Sequence, residues 1–180
     1  MLFRSRQNIR SVKPHAGHYA LVELAGYFDE FHIVTQNVDS LHQQAGSGRV
    51  IELHGNIMRS ICSITGKEIT DEWIDENPGQ PPVSPHHPNG LARPGVVWFG
   101  EALPADAMDK AVALAADCDL CFSIGTSSLV QPAASLPYYA HRSGAVVIEV
   151  NPEPTALSGL ARLDRKSTRL NSSHSSVSRM

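Results

Sequence analysis

Three short runs of β-forming residues each stop at a polar loop. FHIVT leads into QNVD, LCFSI into GTSS, and AVVIEV into NPEP. Helix-forming stretches lie before and between these runs. Residues 14–28 place Ala20, Leu21, Leu24 and Phe28 at three- and four-residue steps, the spacing of one helix face. Residues 104–118 are alanine-rich with Asp106 early, where a carboxylate suits the helix dipole. Residues 132–142 form a third helix pattern, closed by Gly144. Strand and helix in alternation predict an α/β fold with a mostly parallel sheet covered on both faces. The expected strands are 31–35, 50–53, 96–99, 120–124 and 145–150. Ligands of such sheets lie beyond the carboxyl ends of the strands, so the three polar loops are expected to converge on one side.

One stretch breaks the rhythm. Residues 77–95 hold six prolines, three glycines and the pair His86-His87, which excludes a long helix or a central strand. Residues 55–95 therefore read as a small inserted module between residues 1–54 and 96–163 of the main domain.

Charge and cysteine content narrow the partners. The net charge is -3, with no basic stripe for nucleic acid or a membrane surface. No apolar run is long enough to span a bilayer, and residues 1–13 lack the apolar core of a signal peptide. Three cysteines point to a reducing compartment. A cytoplasmic protein with neither nucleic-acid nor membrane partners is expected.

Residues 164–180 carry six serines and no apolar periodicity. Residues 164–174, DRKSTRLNSSH, can be written in codons that resemble a common sequencing-library adapter. The expectation is a non-native tail with nothing to bury.

The polar loops offer suitable chemistry. Gln36 and Asn37 bring amide donors and acceptors, and Asp39 can accept from a ribose hydroxyl. Gly125 permits close backbone approach beside the hydroxyls of Thr126 and Ser127. Singly, each is more often an ordinary turn, and a lone histidine such as His54 is more often structural. In order and together, TQNVDSLHQQAG, ELHG, LARPGVVWFGE, SIGTSSLVQPA and VNPEPT resemble the sirtuin family of NAD-dependent protein lysine deacylases, of bacterial type. The resemblance covers residues 14–163.

The resemblance implies a Rossmann-like domain and NAD as cofactor. It assigns Gln36, Asn37, Val38 and Asp39 to the nicotinamide-ribose region, and Gly125, Thr126 and Ser127 to cofactor contact. Asn151, Pro152 and Glu153 fall in the adenosine-ribose loop. His54 matches the catalytic histidine, with Asn37 beside it in the catalytic set. Val97, Trp98, Phe99 and Gly100 match the segment that pairs with the backbone of an acyl-lysine peptide, a case of β-augmentation. The implied reaction moves the acyl group from lysine to ADP-ribose with release of nicotinamide. His54 serves as general base on a ribose hydroxyl, a role its ordinary pKa of about 6.5 suits. Arg4 falls about where sirtuins specific for acidic acyl groups carry an arginine, and guanidinium is a natural partner for a succinyl or malonyl carboxylate.

The chain departs from the family pattern in three places. The glycine-rich phosphate loop has no counterpart and is expected to precede Met1, so the 180 residues by themselves are expected to turn over little. The chain also stops before the final adenine-contacting loop. Of the two zinc-binding CxxC pairs, only Cys62 keeps its cysteine, with Thr65, Ser84 and His87 at the other positions. That set falls short of a four-ligand structural site, so no metal is expected. The module is instead expected to rest on pairing around residues 58–62 and on Ile57, Ile61, Ile64, Ile69 and Trp73. Cys118 and Cys121 form another CxxC, read as two structural thiols. The alternative to an enzyme is a non-catalytic or truncated module that binds NAD, ADP-ribose or acyl-peptide. A generic oxidoreductase would need a G-x-G-x-x-G loop, and this chain has none.

Overall fold

Two short strands open the first unit: β1 (Ile33–Thr35) and β2 (Val50–Glu52) pair in parallel, Ile33 with Val50 and Thr35 with Glu52. They belong to a computed structural model that describes residues 2–79, 81–161 and 163–165, with side chains for 6–79 and 81–161. The chain divides into one unit that ends at Ala107 and another that begins at Met108.

The first unit starts with α1 (Leu2–Arg10) and α2 (Ala16–Ala25). The His15 ring caps α2 by accepting the Gly17 N–H at 3.0 Å. The chain crosses from β1 to β2 through the polar loop and α3 (Leu41–Ala45), whose Leu41 is fully buried. An antiparallel sheet follows, in the order β4 (Glu68–Ile69), β3 (Gly55–Cys62), β5 (Ala92–Val96). A short helix, α4 (Asp71–Glu76), is capped by the Thr70 hydroxyl, which accepts the Trp73 N–H at 3.3 Å. Cys62, Ile69 and Ala92 are buried together, with Trp73 and Ile74 packed against them. Burying a side chain such as Ile69 contributes about 1.5–3 kcal/mol.

Residues 96–99 correct the expected parallel strand. The strand is β5, it ends at Val96, and it runs antiparallel to β3, with Gly55 opposite Val96. Between Asn56 and Ser60 the register slips, so that Asn56 faces Gly95 and Ser60 faces Pro94. Proline lacks the N–H that a regular ladder would use, and the irregularity accommodates it. The chain then turns at Trp98–Glu101, where Gly100 takes φ +89. Ile64 departs too: it sits in a tight turn and is 54% exposed, whereas Ile57 is buried.

The second unit contains most of α5 (Ala105–Asp117), then β6 (Leu120–Ile124), a 3-10 turn at Ala133–Ser135, α6 (Leu136–Arg142), β7 (Val146–Val150) and β8 (Leu163–Arg165). The three strands form a parallel sheet in the order β6-β7-β8. The five expected strands thus do not form one sheet among the described residues. Parallel pairing is divided between β1-β2 and β6-β7-β8. β8 carries pairing into Asp164 and Arg165, opposite Glu149 and Val150. Residues 166–180 lie outside the described residues. Cys118 and Cys121 are free, half-buried thiols. Burial pushes Cys121 up to about 11, which makes it a poor nucleophile and a poor ligand.

Candidate functional site

His54 lies in the turn between β2 and β3, and main-chain bonds fix the turn on both sides. Leu53 N–H donates to the Thr35 carbonyl at 3.0 Å, and Ile57 N–H to the Val38 carbonyl at 2.9 Å. Gly55 takes φ +73 there, a conformation that favours glycine. His54 Nδ1 faces the Gln36 carbonyl at 2.9 Å. A carbonyl only accepts, so Nδ1 carries a proton, and in the neutral ring Nε2 has the lone pair. The His54 carbonyl accepts Val97 N–H at 2.9 Å. This half-buried histidine therefore joins the Gln36 loop to the segment after β5 within one unit.

The Gln36 loop is held by its own side chains. Thr35 Oγ1 accepts Asn37 N–H at 3.0 Å, and the Asn37 side chain is exposed. Asp39 Oδ1 accepts Leu41 N–H at 3.0 Å and so starts α3. Val38 is half-buried. Burial lowers the pKa of His42, with the nearby Asp39 carboxylate opposing the shift.

Sequence reasoning missed a polar hub beneath this loop. Asn56 Nδ2 donates to Ser40 Oγ and to Glu52, while Asn56 Oδ1 accepts Met58 N–H at 2.9 Å. Glu52 also accepts from Gln43 and Arg59. Ser40 takes φ +63. The available signal was Glu52 and Asn56 placed two positions either side of His54.

Val97 is half-buried, Trp98 is 45% exposed and Phe99 is 85% exposed. Trp98 N–H donates to Glu101 Oε2 at 3.0 Å. That bond, followed by Arg93, holds the Glu101 carboxyl below the usual carboxylate range. Arg4 lies in α1, and its side chain lies outside the described residues. Its neighbour Arg6 is buried and donates Nε to the Ile57 carbonyl at 2.7 Å, Nη2 to the Arg59 carbonyl at 2.7 Å and Nη1 to Ser60 Oγ at 3.1 Å. Arg6 thus anchors α1 to β3.

In the second unit, Gly125 N–H donates to the Val150 carbonyl at 2.9 Å, which ties the loop after β6 to the end of β7. Gly125 takes φ +64, and a side chain there would meet nothing within 4 Å. Backbone conformation, not space, therefore calls for glycine. Thr126 Oγ1 accepts Ser128 N–H at 3.3 Å, and Ser127 is exposed. The buried hydroxyls of Ser123 and Ser128 have no partner among the described residues. Asn151 Nδ2 donates to the Glu153 carbonyl at 2.8 Å, while Pro152 and Glu153 are exposed. The buried Glu149 carboxylate, just before this loop, accepts from the Thr155 and Ser158 hydroxyls. The exposed Ser127 hydroxyl, a left-handed glycine and the unpaired buried hydroxyls of Ser123 and Ser128 fit a polar nucleotide cofactor.

At the zinc position of the family pattern, Cys62 is buried and hydrogen-bonded. Burial raises its thiol, but the Ser84 and Thr65 hydroxyls and the Thr65 and Ile64 amides outweigh it and bring it down to about 6. His87 Nδ1 accepts Asn89 N–H at 3.1 Å, and His86 Nε2 faces the Glu68 carbonyl at 2.8 Å. Both imidazoles are engaged with main chain. Among the described residues no group of three or more His, Cys, Asp or Glu is arranged to hold a metal ion.

Parallel strands with polar loops at their carboxyl ends, interrupted by a small antiparallel module, define an α/β protein of the Rossmann-like class. The comparisons with known proteins specify it further. The Sir2 family model matches residues 1–132, and the chain belongs to that family. It is 46% identical over 161 residues to an NAD-dependent protein deacylase of Aquifex aeolicus, covering 89% of this chain and 66% of that protein. A Thermus thermophilus NAD-dependent protein deacylase is 47% identical over 161 residues, with 87% and 62% covered. The chain thus spans just under two thirds of the length of these relatives. A solved Sir2 bound to acetylated peptide superposes with a TM-score of 0.81 at 35% identity, over 88% of this chain and 67% of that one. A Sir2 homologue in complex with NAD gives 0.79 at 37% identity, over 88% and 61%.

Proposed function

We propose that this chain carries the catalytic histidine and much of the cofactor and peptide surface of an NAD-dependent protein lysine deacylase. NAD supplies an electrophilic ribose carbon and nicotinamide as leaving group. The observation that carries the reading is the hydrogen bond from His54 Nδ1 to the Gln36 carbonyl. It leaves Nε2 as the basic nitrogen, able to take the proton of a ribose hydroxyl. Gln36, Asn37, Val38 and Asp39 line the loop proposed to hold the nicotinamide ribose, and Asn37 has the exposed amide to orient it. Gly125, Thr126 and Ser127, and separately Asn151, Pro152 and Glu153, are the other proposed cofactor residues. Val97, Trp98, Phe99 and Gly100 are proposed to meet the acyl-lysine peptide, with Arg4 available to an acidic acyl group. Names of similar proteins support the substrate class: solved Sir2 chains carry acetylated and propionylated peptides. A cytoplasmic location accords with three free cysteines. No helix among the described residues is long and apolar enough to cross a membrane.

The test uses the chain expressed with the sequence that flanks it in its gene. Given NAD and an acetyl-lysine or succinyl-lysine peptide, it should release nicotinamide and deacylated peptide in equal amounts. His54→Ala should lower the rate by about a hundredfold or more, the scale of general-base catalysis. A folded protein that binds NAD without releasing nicotinamide would favour a non-catalytic module instead.

A further inference from the structure

Arg93 and Glu101 meet across the turn that follows β5. Arg93 Nη2 donates to both Glu101 oxygens, at 3.0 and 3.1 Å. Arg93 Nη1 donates to the Val96 carbonyl at 3.0 Å. The guanidinium carbon lies 5.0 Å from the centroid of the Trp98 ring. Glu101 accepts Trp98 N–H at 3.0 Å, and Glu101 N–H closes the turn on the Trp98 carbonyl at 2.9 Å. Gly100, third in that turn, takes φ +89, as a type II turn requires. Both main-chain groups of Trp98 are thus held inside the turn, while Val97 N–H is held by His54. Phe99 stands at the crest, 85% exposed.

We propose that Arg93 and Glu101 are positioning residues for the acylated peptide: together they fix the turn that presents Phe99 and sets the Trp98 ring, one residue from the main-chain bond to His54. The proposal rests on the deacylase reading. A lone exposed ion pair contributes little. Here Arg93 Nη2 reaches both oxygens of one carboxylate, Nη1 reaches a carbonyl, and the guanidinium lies over the Trp98 ring in a cation–π contact, with the side chain 18% exposed. Lysine cannot reproduce that geometry. A loop ordered before binding loses less freedom when the peptide arrives. Without the clamp, a turn with a large apolar crest would sample many shapes, and docking would have to select one.

The experiment uses the same chain as the nicotinamide-release test above, with R93K, R93M and E101Q. Amide hydrogen exchange by NMR reads the Trp98 N–H, and fluorescence anisotropy reads affinity for labelled acetyl-lysine and succinyl-lysine peptides. R93K and R93M should speed Trp98 exchange by about tenfold or more, a local opening that leaves the amides of Cys62 and Ile69 unchanged. Peptide affinity should fall about tenfold with no change in melting temperature, and R93K should not rescue it. E101Q keeps an acceptor for Trp98 N–H and should move both readouts in the same direction by less. It also serves if R93M fails to fold. Unchanged exchange and affinity in folded variants would overturn the clamp alone. Failure of the wild-type chain to bind either peptide would overturn the deacylase reading and the clamp with it.

Discussion

Gly55 and Gly95 approach so closely that a Cβ on Gly55 would lie 2.1 Å from the Gly95 carbonyl oxygen. The obstacle is main chain in β5, so it cannot rotate away. Gly55 also takes φ +73. The residue next to His54 is therefore glycine for two independent reasons, and both act on where His54 sits.

Gly55→Ala should destabilise the chain by at least about 2 kcal/mol, counting left-handed strain and the displaced β3–β5 pairing. Urea denaturation measures this. A variant as stable as wild type would show that the pairing at Gly95 yields easily.

Arg6→Met should cost about 1–3 kcal/mol for the buried Ile57 carbonyl it leaves unpaired, and less for the part-buried Arg59 carbonyl, which also loses a donor. The loss should appear in denaturant unfolding. A change under about 0.5 kcal/mol, typical of surface sites, would mean that α1 contributes little to holding β3.

The low pKa of Cys62 makes stability pH-dependent. Its thiol sits at about 6 in the folded chain, against an ordinary value of 9.0. Between these values the unfolded chain binds the proton more readily, so the thiolate's contribution grows as pH rises and is complete above the unfolded value. It disappears as pH falls through about 6. The melting temperature of wild type relative to Cys62→Ser should therefore rise across this window. A flat difference would place the Cys62 thiol at an ordinary pKa.

The module should hold less than one zinc per chain by elemental analysis, and a chelator should leave its unfolding curve unchanged. A structural zinc adds its binding energy to folding. Stoichiometric zinc, lost together with the fold on Cys62→Ser, would show that the hydrogen bonds around Cys62 are not what holds the module.

The sequence makes β1, β6, β7 and α5 readable, because each has a clean apolar pattern bounded by polar turns. It does not make α1 readable. LFRSRQNIR has no apolar stripe, and the helix is held by a buried arginine bonded to β3, more than fifty residues away. β5 is hidden for another reason: Pro94 and Gly95 read as breakers, yet they sit where the ladder with β3 slips. The loops around the candidate site are visible as motifs. The tautomer of His54 is not, since it depends on which carbonyl faces the ring. Nor is the hub of Glu52, Asn56 and Ser40, or the fork between Arg93 and Glu101, because those contacts exist only once strands and turns bring them together.

The donors around Cys62 all belong to the chain that folds. A metal clip obeys mass action: its contribution varies with the logarithm of free ion concentration, and it vanishes on dilution or in competition with other binders. A thiolate bonded to Ser84 and Thr65 has no such dependence. With residues 55–96 in place to complete the sheet β4-β3-β5 around it, the contribution of that thiolate follows proton activity.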